Sequence, residues 1–253
     1  MATIDVHVND GIGIITLNNP QALNAWTQQM QRDVAKSLNM LDADPAVKGI
    51  IITGEGDRAF CAGQDLNEVS HFSEDNVKEW LDTFYEVYDA VLSNSKPVIA
   101  ALNGVTAGSG YQMALLCDLR IAHSAVRIGQ PEVKSGIPSI TGMYLTWRSL
   151  GHSKTAEMML TGRLLGAEEA HRAGLIAEVV PAEEVLARSI ALATELSELP
   201  AQAFALTKRR IRETLMPGLK EAFNAALEID KQAYADGEPQ RTASEFVARK
   251  VSR

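Results

Sequence analysis

The chain has 253 residues, of which 46% are hydrophobic and 22% charged, a composition suited to a globular protein with a large core. Its longest apolar stretches, 98–102 and 114–117, fall far short of the roughly 20 residues that span a bilayer, and the start MATIDVHVND has no basic region, apolar segment or small-residue cleavage site. The expectation is a cytoplasmic protein with no membrane association, and the formal net charge of -8 disfavours nucleic acid as a partner.

Ile4, Val6 and Val8 alternate with polar residues, Asn9-Asp10-Gly11 supplies turn chemistry, and 12–17 resumes an apolar run, which predicts a hairpin. From about Trp26 the spacing changes: Met30, Val34, Leu38 and Leu41 mark one face of a helix that ends at Asp44-Pro45. Residues 49–53 (GIIIT) read as a buried strand. Val77, Trp80, Phe84, Val87 and Val91 recur at helical spacing behind Glu74-Asp75, where negative charge suits a helix start. A strand at 97–102, a Gly-rich turn at 103–110 and a helix at 111–116 follow. Strands at 119–122 and 175–180 complete a set separated by helices, the pattern of an α/β fold with parallel strands. Beyond Pro181 the chain reads as three helices, 183–199, 201–215 and 219–235, divided by Pro200 and by Pro217-Gly218. The predicted organisation is a core over residues 1–195 and a helical region over 196–253, acting as one unit.

Two segments share a design. Residues 56–66 (GDRAFCAGQDL) place Gly63 where backbone turns sharply behind a strand, and 103–110 (NGVTAGSG) lead from a strand into a helix beginning near Ser109. Either alone is an ordinary strand-to-helix turn. As a pair on neighbouring strands they could aim one backbone N–H each at a single oxygen, the device that stabilises an enolate or a thioester oxyanion. A dinucleotide fingerprint is absent, because Gly108, Gly110 and Ala114 have the wrong spacing. A third segment sets Glu132 directly behind Pro131, and a carboxyl in an apolar pocket can shuttle a proton at carbon. Cys61 and Cys117 lie in apolar surroundings outside any metal-ligand pattern, so they read as buried free thiols and no metal site is expected.

The order AFCAGQDL, KPVIAALNGVTAGSG, CDLRIA and QPEVKSGIP, followed by Leu160-Thr161-Gly162 and 167–180, resembles the crotonase superfamily of enoyl-CoA hydratases and isomerases. The resemblance implies a core of stacked ββα turns, a helical C-terminal region that builds homotrimers and often homohexamers, and an acyl-CoA thioester substrate with no further cofactor. By motif, the oxyanion hole would be the N–H groups of Gln64 and Ser109. Leu23, Ala25, Ala62, Gly63, Asp65, Leu66, Gly108, Pro131 and Ile137 would lie along the CoA or acyl group, and Lys208 or Arg209 could meet a CoA phosphate.

Three departures qualify what transfers. Gln112 stands where hydratases of this family carry a second glutamate, and an amide is neither acid nor base at neutral pH. Ser109 replaces a usual glycine. The loop 135–139 is shorter than the common hydratase form, which implies a reshaped acyl pocket. Glu132 as the main acid/base, with Gln112 assisting, leaves double-bond isomerisation and hydration both open. Two further readings are a CoA-ester-binding protein with weakened catalysis and a serine hydrolase using Ser109. The last lacks G-x-S-x-G and a histidine identified by motif.

Overall fold

The computed structural model describes residues 2–251. Strands β1 (Thr3–Asn9) and β2 (Ile12–Asn18) pair antiparallel with Asn9 opposite Ile12. Asp10 and Gly11 between them both take positive φ, 48° and 80°, as a two-residue hairpin turn requires. Helix α1 (Gln28–Ala43) starts at Thr27, whose hydroxyl accepts the Met30 N–H, and it buries Met30, Val34, Leu38 and Leu41 as their spacing predicts.

The chain then repeats one pattern of strand, strand and helix. Strand β3 (Gly49–Gly54) leads through β4 (Ala59–Cys61) to α2 (Leu66–Val69) and α3 (Val77–Ser93). Next, β5 (Val98–Leu102) and β6 (Val105–Ala107) lead to α4 (Ser109–Leu116). Finally β7 (Leu119–Ala122) and β8 (Arg127–Gly129) lead through a 3-10 turn at Glu132–Ser135 to α5 (Ile140–Thr161). First strands pair in parallel with first strands and second with second, so each ββα turn stacks on the one before it.

The longer sheet runs β1-β2-β3-β5-β7-β10 and the shorter β4-β6-β8-β9, with β9 (Leu164–Gly166) antiparallel to β8. Helix α6 (Ala167–Arg172) precedes β10 (Glu178–Val179), which is all that forms of the strand expected over 175–180. The run GIIIT is buried at every position because both faces of its sheet are covered. Ile50 and Ile52 join the core beneath α1 and α3, while Ile51 points to the opposite face, against Val185, Leu192 and Ala193 of α7 (Val185–Ser197).

The C-terminal region corrects one expectation. Pro217 does not divide two helices: α8 runs unbroken over Ala201–Asp236. Proline removes one backbone donor and costs about 3 kcal/mol inside an isolated helix. Here Met216, Leu219, Ala222, Phe223 and Ala226 are buried along α8, and the Tyr144 hydroxyl of α5 donates to the Leu215 carbonyl at 3.0 Å. Burial of that stripe outweighs the local defect. Helix α8 packs on α3 and α5, and α9 (Glu238–Val251) packs on α2. Among the described residues no helix is long and apolar enough to cross a membrane.

Candidate active site

Two strand-to-helix turns meet at one place. After β4, Gly63 takes φ 99°, and after β6, Gly108 takes φ 59° and ψ -134°, a region closed to residues with a Cβ. The segments touch: a Cβ on Gly63 would lie 3.2 Å from the Ala107 carbonyl oxygen and 3.5 Å from the Ser109 nitrogen. One on Gly108 would lie 3.0 Å from Glu132 Oε1. Only bare backbone lets both turns and the carboxyl come this close.

The first turn is braced from behind. Leu23 accepts from the Ala62 N–H (3.1 Å), Gly63 accepts from the Trp26 N–H (3.0 Å), and Trp26 accepts from the Asp65 N–H (3.1 Å). Asn24 is buried at φ 53° and its amide donates to Glu55 and Ala59 carbonyls, holding this outer segment to β4. The Gln64 side chain is also committed, accepting from Gln31 and Trp80 and donating to Glu68. The Trp26 indole N–H donates to Ser109 Oγ at 2.8 Å, tying the two turns together. Among the described residues, neither the Gln64 N–H nor the Ser109 N–H has an acceptor, and the second opens α4, where the helix dipole favours negative charge.

Glu132 begins the 3-10 turn behind Pro131. Its Oε1 accepts from Gln130 Nε2 at 2.7 Å, and the same amide nitrogen reaches Ser139 Oγ at 2.6 Å. Oε2 is buried without a partner, although other parts of the residue keep some exposure. Burial pushes this carboxyl up to about 8, because the charged form loses its water. The Gln112 amide opposes that rise in part without completing a hydrogen bond to Glu132. Gln112 Oε1 accepts from both Tyr88 (2.9 Å) and Thr141 (2.8 Å). Its acceptor is therefore filled, and what it can offer the cavity is a donor NH2.

These groups line a cavity of about 130 Å³. Gly63, Gln64, Gly108, Ser109, Gln112 and Glu132 form one part of its wall, and α3 and α8 form another with Leu81, Phe84, Ala226 and Asp230. Of the residues expected from sequence, Ala62, Leu66, Pro131 and Ile137 also line it. Leu23 and Ala25 lie behind it in the bracing segment. The Asp65 carboxylate caps α2, accepting the Asn67 N–H at 2.8 Å.

Lys208, expected by resemblance to meet a CoA phosphate, is engaged within the fold. It is buried, and its ammonium bonds Asp118 Oδ2 and the Lys96 carbonyl, both at 2.7 Å. Asp118 also accepts the Val98 N–H, so Lys208 fastens α8 to the start of β5. Arg209 stays exposed beside Glu213. Cys61 and Cys117 are buried free thiols pushed up to about 12 by burial, which leaves them unreactive.

The residues that sequence reasoning missed act at a distance. Tyr88 and Thr141 orient Gln112, and no local motif marks them, whereas Gln130, within QPEVKSGIP, holds Glu132 from two residues away. Asp230 did leave a signal: it interrupts the buried stripe Phe223, Ala226 and Tyr234 with a carboxyl at a core-facing helical position.

A family model described as enoyl-CoA hydratase/isomerase matches residues 7–251. A probable enoyl-CoA hydratase of Mycobacterium bovis is 33% identical over 250 residues, covering 98% of this chain and 96% of its own. The crystal structure of an enoyl-CoA hydratase/isomerase from Mycobacterium paratuberculosis superposes with a TM-score of 0.88 at 27% identity, over 96% of this chain and 97% of that one. Human mitochondrial delta3-delta2-enoyl-CoA isomerase shares the fold, with a TM-score of 0.88 at 23% identity and 98% of both chains covered. With its stacked ββα turns and a match over nearly its whole length, the chain belongs to the enoyl-CoA hydratase/isomerase family.

Proposed function

We propose that this protein is an enoyl-CoA double-bond isomerase, with the thioester carbonyl oxygen held between the Gln64 and Ser109 N–H groups and Glu132 as its proton carrier. The observation that carries this reading is the state of Gln112. It is an amide whose acceptor oxygen is filled by Tyr88 and Thr141, so of Gln112 and Glu132, the two side chains facing the turns, Glu132 is the one able to take and return a proton.

In the proposed cycle, ionised Glu132 removes a proton from the carbon between the thioester and a 3,4 double bond. The electron pair moves into the carbonyl, and the two N–H groups hold the resulting dienolate oxyanion. Protonated Glu132 then returns its proton two carbons further on, and the pair flows back to leave the 2,3 double bond. The carboxyl near 8 suits both halves of this exchange. Hydration is less well supported, since beside Glu132 the turns present an amide, Gln112, in place of a second acid or base. Ser109 Oγ accepts from an indole N–H, and no histidine is among its partners, which counts against a serine nucleophile.

The family resemblance extends the proposal to a cytoplasmic homotrimer or homohexamer with no cofactor beyond the CoA of its substrate. Leu206 and Ile211 stand 45% and 59% exposed on α8, an apolar face suited to a second copy. Light scattering on the purified protein tests the assembly. Incubation with 3-enoyl-CoA and 2-enoyl-CoA thioesters tests the chemistry: 3-to-2 conversion outpacing water addition is expected, and rapid hydration without isomerisation would overturn the assignment.

A further inference from the structure

The wall contributed by α8 holds a carboxyl that this cycle does not use. Asp230 is 3% exposed, lines the cavity one helical turn beyond Ala226, and its Oδ1 has no hydrogen-bond partner. Burial pushes it up to about 7. One turn further on, the Tyr234 hydroxyl is likewise buried without a partner, and its ring packs edge-on against Trp80 of α3 at 5.8 Å. Asp230 and Tyr234 do not satisfy each other.

A core position needs no carboxyl. Leucine or methionine would fit the stripe of Phe223, Ala226 and Tyr234, whereas an unpaired buried carboxyl opposes folding. A group of this kind is accounted for when a ligand completes it. Among the described residues the cavity lining contains no Lys, Arg or His, so an acyl group ending in a carboxylate would meet two acids and no cation. An ammonium would need Asp230 ionised. A hydroxyl bonds either form, donating to a carboxylate or accepting from a carboxylic acid.

We propose that Asp230 is a specificity-determining residue that recognises a hydroxyl on the acyl group, so that the preferred substrates are hydroxylated acyl-CoA thioesters. This rests on the reading of the cavity as an acyl-CoA site. It requires no change in the reaction at the thioester end and places selectivity on a different element from the chemistry.

The test uses saturated acyl-CoA thioesters, which bind without reacting, each bearing one aliphatic or phenolic hydroxyl at successive positions, against its deoxy analogue. Calorimetry on the wild-type protein is expected to show at least one hydroxylated member bound roughly 10- to 100-fold more tightly than its analogue, as a hydrogen bond to a charged group implies. Asp230→Leu abolishes that preference and binds the deoxy compound at least as well. Asp230→Asn, which keeps the shape, retains part of it and serves should the leucine variant fail to fold. No preference in the wild type, or a preference unchanged in both variants, overturns the proposal while leaving the acyl-CoA reading intact. No binding by any CoA thioester overturns both.

Discussion

Glu132 and Asp230 are both buried carboxyls on one cavity, and both are raised by loss of water, yet their surroundings differ. Glu132 sits on a 3-10 turn of the ββα core, with one oxygen fixed by Gln130, Gln130 in contact with Ser139, and Gln112 fixed close by through Tyr88 and Thr141. Asp230 sits on the long C-terminal helix, and its Oδ1 has no partner. A carboxyl braced on one oxygen and free on the other suits repeated proton transfer at a set position. One left unbraced suits completion by a ligand. In the proposed reading, chemistry and selectivity divide between the two regions of the chain that build the cavity.

The largest expected effect tests the braced side. Glu132→Gln keeps the shape and removes the proton carrier, so kcat/KM for 3-enoyl-CoA should fall by about 10²- to 10⁴-fold, with affinity for a saturated acyl-CoA little changed in calorimetry. A residual rate near wild type would assign the proton transfer elsewhere. Gly108→Ala should come next. Its Cβ would lie 3.0 Å from Glu132 Oε1 at a backbone conformation barred to alanine. A rate loss of about 10²- to 10³-fold is expected from the displaced Ser109 donor, together with a lowered melting temperature, both absent if the turn relaxes freely.

Stability and turnover should follow opposite trends with pH. Both carboxyls bind protons more tightly folded than unfolded, so the folded state holds more protons between the ordinary carboxyl range and their raised values of about 8 and about 7. Their contribution to stability is therefore fully present at acid pH and is lost as pH rises through that window, by at most roughly 5 kcal/mol for each. Urea unfolding at stepped pH should show this slope, and the Glu132→Gln, Asp230→Asn double variant should flatten it. Turnover runs the other way, since the proposed base must be ionised: kcat/KM should climb as pH approaches about 8.

The smallest effect sharpens the role of Gln112. Tyr88→Phe removes one of the two donors to its Oε1, worth about 1 kcal/mol, and should slow isomerisation only a few-fold. The informative outcome is a shift of the acid limb of the pH profile, because a reoriented amide changes what faces Glu132. A purely structural role for Tyr88 would lower the melting temperature and leave that limb in place.

Much of the site was legible in the chain because the elements that carry it are local. Each Gly-rich turn lies between a strand and a helix whose apolar patterns identify them, and Pro131 positions Glu132 within one short segment. The internal partners of Lys208 were not legible because a lysine within a charged helical run looks like surface, and only the fold brings Asp118 and Lys96 to it from 90 and 112 residues away. Pro217 misled for a related reason: proline reads as a break until packing along the whole of α8 is known to outweigh it.

By itself the sequence determined the alternation of strands and helices, the two turns and the glutamate behind Pro131, since hydrophobic period, glycine placement and proline act through neighbours in the chain, while the stacked ββα repeat was expected only from the family resemblance. Only the tertiary structure decided that Gln112 offers a donor and that Asp230 enters the cavity unpaired. The first depends on hydroxyls 24 and 29 residues distant and the second on how α8 lies against α3. Such facts arise when buried polar atoms find, or fail to find, partners brought from afar, and no local pattern encodes that outcome.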